Sequence, residues 1–341
     1  MLLANSVVFA GPDTRSSVTA KKRASARLVS LLPQSDGIAV IDSKRFLDDA
    51  LPKVLSANQP MLAEVMSKVK DMEAKTGIDL RKFNQLTVGV ATKQVTPTEV
   101  DFEAVAIASG DLDVATVVNA ARAAAKGPVR EEKIGARTVY IFSGKELATK
   151  VPAAPANSKI ASAFDSLIAG MGKKEVAVTA YDSGTLVIGV PERVRQTLLD
   201  SKTKNDADVR SLLPATGTAV LAFAFRTNGL LDKLLSLDAD VLGANLSSIQ
   251  YLTGSMDVTA GSTSLQAMAR TTKPEQAADL KTTLEGLQMV GKAFLGASKR
   301  LDQQVYGRML QNAKFAARGT DVTLDLAVPQ GDIDILVGGL K

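Results

Sequence analysis

The feature that most limits what this chain can fold into is a succession of short strands and turns that occurs twice. Ser30-Leu31-Leu32-Pro33 recurs as Ser211-Leu212-Leu213-Pro214. Each phrase leads into an apolar strand, residues 37–42 and 217–225, and then into a leucine-spaced helix, 43–55 and 228–237. Pro52 falls inside the first of these helices and predicts a kink or an end there. A second match sets 86–109 against 252–271, each reading as two alternating strands joined by a turn. Both hairpins run into helices. Asp111 or Asp113 can cap the first, which Gly127-Pro128 stops, and Pro274 opens the second, 274–296. A third match sets 184–191 against 322–329, each the second strand of a hairpin followed by a terminal segment.

The order strand, helix, hairpin, helix, hairpin therefore appears twice. The first copy is longer by a helix at 59–77, a hairpin at 129–143 and an Ala/Pro-rich loop at 151–159. Hairpins in this number call for antiparallel sheets covered by helices rather than a parallel doubly wound sheet. The expected fold is α+β, two related repeat units, each an antiparallel sheet with covering helices, able to join into one continuous sheet. The expected boundaries are 1–27, a signal-like remnant and flexible basic arm; 28–199, the first unit; 200–210, a charged linker; and 211–341, the second unit.

Composition closes off several chemistries. The 341 residues contain no cysteine, histidine or tryptophan. Without the first two there is no disulfide, thiol nucleophile, imidazole base or ordinary zinc centre. Catalysis would have to rest on carboxylates, a shifted lysine or tyrosine, or oxygen-ligated Mg²⁺ or Ca²⁺. The net charge of +5 is concentrated near the start, where Arg15, Lys21, Lys22, Arg23 and Arg27 face only Asp13. The rest of the chain is nearly neutral and only 4% of residues are aromatic, so nucleic acid is not an expected partner. No apolar run reaches the roughly 18 residues that a membrane-spanning helix needs. Residues 1–10 are mostly apolar, and Val8-Phe9-Ala10 before Gly11 has the form of a small-residue cleavage site, although the basic segment of an export signal is missing.

Local motifs add little chemistry. Residues 286–293, GLQMVGKA, fall one hydroxyl short of a phosphate loop and continue a helix, so their glycines read as close-packing positions. Ser201-Lys202-Thr203-Lys204 and Lys75-Thr76-Gly77 match two β-lactamase motifs, but in the wrong order and without Ser-Asp-Asn. Acids occur as Asp48-Asp49, Asp111 and Asp113, Glu131-Glu132, Asp206 and Asp208, and Asp332 and Asp334, none with a calcium-loop pattern. The one candidate binding element is the stripe Met61, Leu62, Val65, Met66, Val69 and Met72. It lies on the helix that has no counterpart in the second copy, and methionine-rich faces adapt to varied apolar ligands or partners.

At 31–47, LLPQSDGIAVIDSKRFL, and 75–90, KTGIDLRKFNQLTVGV, the chain resembles uncharacterised exported bacterial proteins. Those proteins combine a Leu-Pro approach to a strand, a Gly-Ile-Asp phrase after a helix and repeated hairpins. The resemblance implies a periplasmic or secreted setting; it brings no activity and no site residues. The expected function is that of a non-enzymatic exported protein that binds an apolar ligand or an envelope partner, with no cofactor and no metal. The alternative is a carboxylate- and Mg- or Ca-dependent hydrolase, or a relative of an enzyme that has lost its catalytic groups. The alternative requires acids from different elements to converge in one pocket.

Overall fold

The computed structural model describes residues 14–76, 79–95, 100–111, 113–124, 127–143, 174–199, 207–214, 219–227 and 245–340. Its strands are β1 (Gly37–Ile41), β2 (Phe83–Gln94), β3 (Val100–Gly110), β4 (Arg130–Ile134), β5 (Arg137–Ser143), β6 (Glu175–Asp182), β7 (Thr185–Gly189), β8 (Leu221–Arg226), β9 (Ile249–Val258), β10 (Ser262–Thr271), β11 (Lys314–Arg318) and β12 (Asp321–Pro329). All twelve join one continuous sheet in the order β11-β12-β10-β9-β8-β1-β2-β3-β7-β6-β5-β4. Every neighbouring pair is antiparallel, both the hairpins and pairs such as β1–β8, β3–β7 and β10–β12 that no hairpin links. The sheet is unbroken at its middle, where β1 and β8 pair from Gly37 opposite Phe225 to Ile41 opposite Leu221.

The period of two sorts the side chains into two faces. Ile38 and Val40 point with Thr87, Val105, Ile107, Val187, Ala177 and Ala224 into a buried cluster. Helices α1 (Thr14–Leu31), α6 (Pro191–Leu198) and α7 (Ala207–Leu212) contribute Leu28, Val29, Leu32, Val194, Leu198 and Val209 to that cluster. Both Leu-Pro phrases meet there: Leu31 and Leu32 end α1, Leu212 and Leu213 end α7, and Arg210 Nη2 donates to the Leu32 carbonyl at 2.6 Å. Each phrase finishes a helix beside one of the two central strands.

The opposite face carries the other helices. α5 (Val114–Ala124) packs Val114, Val117 and Val118 on Leu186, Val176, Val178 and Phe142. Asp113 caps it, accepting from the Ala115 amide at 3.0 Å and the Thr116 hydroxyl at 2.7 Å. α8 (Pro274–Gly296) places Ala277 and Leu280 on Ile249 and Val322, and α9 (Leu301–Asn312) folds back along it. The short α2 (Ser43–Arg45) and α3 (Leu51–Val54) flank a π-helical turn, Phe46–Ala50. That wider turn is how a helix takes up Pro52, which offers no N–H to the preceding turn.

Two expectations are corrected. The segment read as a flexible basic arm is helical from Thr14, because Ser25, Leu28, Val29 and Leu32 repeat at helical spacing and are buried. The charged linker is helical over its last residues, where α7 begins at Ala207 and Val209 is fully buried. Residues 1–13 with the signal-like opening, the loop at 151–159, the remainder of the linker and the helix expected at 228–237 lie outside the described residues.

Candidate functional site

The phrase that leads into β1 builds the site. Pro33 ends the approach from α1, and the Ser35 hydroxyl donates to the Pro33 carbonyl at 2.8 Å. Asp36 then clamps three strands. Its amide donates to the Val90 carbonyl at 2.8 Å and its carbonyl accepts from the Arg226 amide at 2.7 Å. Its carboxylate Oδ2 accepts from the Thr92 amide at 2.8 Å and the Thr92 hydroxyl at 2.7 Å, while Oδ1 lies 3.9 Å from Arg226 Nη1. The second copy, Pro214-Ala215-Thr216-Gly217, has no such acid.

Beside this clamp, on the face away from α1, lies a cavity of about 340 Å³. Gly37 and Ala39 of β1, Val88 and Val90 of β2, Phe102 of β3, and Phe223 and Phe225 of β8 form its wall. Register explains the convergence: Ala39 stands between Val88 and Phe223, and Gly37 between Val90 and Phe225. Three of the chain's ten phenylalanines therefore meet at one cavity. Gly254 makes room for one of them, since a Cβ there would stand 2.8 Å from the Phe223 ring and 2.8 Å from the Gln266 carbonyl. The polar groups are confined to Asp36, Thr92 and Arg226. Such a lining, carbon walls with a few polar groups at one end, suits an apolar molecule with a small polar part.

A second, polar cavity of about 500 Å³ adjoins the first through Asp36 and Thr92. Arg193 of α6 lines it and is buried, donating to the Ser35 hydroxyl at 2.7 Å and to Gln196 Oε1 at 2.9 Å. Its Nε has no hydrogen-bond partner among the described residues. Burial moves the guanidinium below the ordinary arginine value, opposed by the charges of Glu103 and Asp36.

The methionine stripe lies elsewhere, on α4 (Gln59–Thr76). Met61, Leu62 and Val65 pack against Leu55, Val328, Ile333 and Val337, the last two on α10 (Gln330–Gly338). Met66 is half-buried, Val69 is buried, and the side chain of Met72 lies outside the described residues. None of the other five lines the apolar cavity. The structure thus brings the first three together as packing between the beginning and end of the described chain.

The acids behave as ion-pair and capping groups. Asp48 pairs with Lys44 at 2.9 Å, Asp49 with Lys53 at 2.5 Å, Glu131 with Arg122 at 2.8 Å and Asp332 with Arg308 at 2.5 Å. Glu132 accepts a two-pronged bond from Arg195, at 2.8 and 2.7 Å, which holds its carboxyl below the usual range. Among the described residues, no group of three or more acids is placed to hold a metal ion. Asp206 and the side chain of Asp208 lie outside the described residues, as does the Ser201–Lys204 motif. Of the two glycines in 286–293, Gly291 serves close packing, since a Cβ there would stand 2.5 Å from Leu310 Cδ1, whereas a Cβ at Gly286 would meet open space.

The cavity was hidden in the sequence because its wall comes from four strands spread between residues 37 and 225. One signal was available: Phe223 and Phe225, two apart on a strand, had to share a face.

No family model and no curated protein matches the chain. It is similar to solved structures of the Treponema protein TP0453. Crystal form III aligns with a TM-score of 0.45 and 8% identity over 92% of this chain and 98% of that chain. Crystal form IV gives 0.46 and 9% over 93% and 99%, and crystal form I gives 0.42 and 10% over 92% and 96%. Among the described residues, no helix is long and apolar enough to cross a membrane.

Proposed function

We propose that this chain is a non-enzymatic binding protein of the bacterial envelope that receives an apolar ligand in the cavity over β8, β1 and β2. The observation that carries the reading is the cavity itself: Phe102, Phe223 and Phe225 with Ala39, Val88 and Val90, and a polar end at Asp36 and Arg226. Filling about 340 Å³ of such space with carbon removes apolar surface from water, at about 25 cal/mol per Å². We place the ligand here and not on the α4 stripe, whose first half is engaged in packing. The envelope setting is supported by the apolar opening and the Val-Phe-Ala-Gly phrase of the sequence.

We also read the two halves of the sheet as products of one duplication. From the centre outward the orders are β1-β2-β3-β7-β6 and β8-β9-β10-β12-β11, and α5 and α8 follow the third strand of each. In this reading the hairpin β4–β5 is an addition to the first half, and the cavity arose at the seam.

The test is native mass spectrometry of the full chain, gently purified from its own cells. The reading predicts a bound apolar species that is lost on organic extraction. A homogeneous mass equal to the bare chain, together with no uptake of added long-chain amphiphiles, would sink it.

A further inference from the structure

Helix α8 changes character half-way along. Its first half is conventional: Ala277 and Leu280 are fully buried and Glu275, Asp279 and Glu285 supply charge. From residue 286 onward one side is still engaged. Gly291 lies against Leu310, and Gln288 Nε2 donates to the Leu310 and Ala313 carbonyls at 2.5 and 2.8 Å, so this side faces α9. The rest is apolar and bare. At 100° per residue, Leu287, Met289, Val290, Ala293 and Phe294 cover an arc of about 160° turned away from that contact. Phe294 is 78% exposed and Met289 72%, and Leu301, just past the turn, is 64% exposed. Single exposed apolar residues need no explanation, but a contiguous patch of this kind marks an interaction surface.

The charges around the patch say what it meets. Between Glu285 and Asp302 the only ionised side chains are Lys292, Lys299 and Arg300. Lys292 and Lys299 make no ion pair among the described residues, and Arg300 pairs with Asp302 at 2.7 Å. A second copy docked on the same patch would bring a second set of the same cations to the contact. A bilayer rich in anionic headgroups accepts both the apolar face and its basic rim.

We propose that the second half of α8 and its turn into α9 form an interfacial docking element, lying in the headgroup region of an anionic lipid bilayer. The element is separate from the cavity and does not depend on the ligand reading.

The chain contains no tryptophan, so Phe294→Trp installs a single reporter at the centre of the patch. With phosphatidylglycerol vesicles its emission shifts to the blue and becomes protected from acrylamide, and high salt reverses both; phosphatidylcholine vesicles give a much weaker response. Adding Lys292→Gln and Lys299→Gln in the same background lowers affinity for phosphatidylglycerol roughly 30-fold. Phe294 and Lys292 are exposed and half-buried helix positions and Lys299 is exposed in the turn between α8 and α9, and an unchanged circular dichroism melt confirms that the variants fold. Emission unchanged by phosphatidylglycerol overturns the proposal. So does emission already blue-shifted without lipid: if independent of concentration, the chain covers its own patch, and if it grows with concentration, a second copy does.

Discussion

Helices α4 and α8 look alike in sequence and do opposite things in the fold. The first carries the methionine stripe that reads as a binding surface, yet Met61, Leu62 and Val65 are packed on Val328, Ile333 and Val337. The second carries Leu280, Leu284 and Leu287 on one side, yet only its first half is buried, and Val290 and Phe294 face outward. The contrast teaches that apolar periodicity identifies a face but not what that face meets. Neighbours decide that, and for α4 they come from residues more than 250 positions away, on β12 and α10.

Truncating the inner and outer sides of α8 in turn separates its two faces. Leu280→Ala, at a fully buried position, should lower unfolding stability by about 2–5 kcal/mol in urea titrations. Val290→Ala, at 54% exposure, should stay within about 0.5 kcal/mol of the parent. Equal losses would mean that the outer face is covered in solution. Next in size is Gly254→Val, whose side chain must displace the Phe223 ring or the Gln266 carbonyl. It should cost about 1–3 kcal/mol by overpacking. It should also weaken uptake of an apolar probe, because the displaced ring is part of the cavity wall. Retention of full affinity would detach Phe223 from the site.

Val65→Ala sharpens the α4 side. Packing alone predicts a stability loss of about 1 kcal/mol, with probe affinity unchanged. An affinity loss without a stability loss would return the stripe to the role its composition suggests. The smallest effect lies outside both helices, at the Glu132–Arg195 pair. Arg195 lowers the Glu132 carboxyl below its unfolded value, so the pair stabilises the fold above about pH 4.3 and that contribution fades as pH falls through the folded value. Glu132→Gln should therefore flatten the acid limb of a melting-temperature profile, leaving the slope above pH 6 alone. A parallel shift at every pH would contradict the assignment.

Much of the framework was legible in the chain. Alternating runs marked the hairpins β2–β3, β4–β5 and β9–β10, and Pro274 marked the start of α8 as observed. α1 was not legible as a helix because Lys21, Lys22, Arg23 and Arg27 dominate its composition, while its buried side needs only Ser25, Leu28, Val29 and Leu32. α9 lacked a strong signal for a similar reason: Val305 is its one large residue fully removed from water. The cavity was out of reach for a different reason. Ala39, Val90, Phe102 and Phe225 become neighbours only when β1 pairs with both β8 and β2, and no local pattern encodes those long-range pairings.

The central claim is that the space over Ala39 holds the ligand. It is tested most directly by titrating a fluorescent long-chain amphiphile into the parent protein and into Ala39→Phe, with thermal melts run alongside. Ala39 stands between Val88 and Phe223 at the floor of the cavity, so the added ring occupies ligand space. Binding to the parent should be saturable and at least tenfold weaker in Ala39→Phe, and the variant should still melt cooperatively. Equal binding to both folded proteins would place the ligand elsewhere.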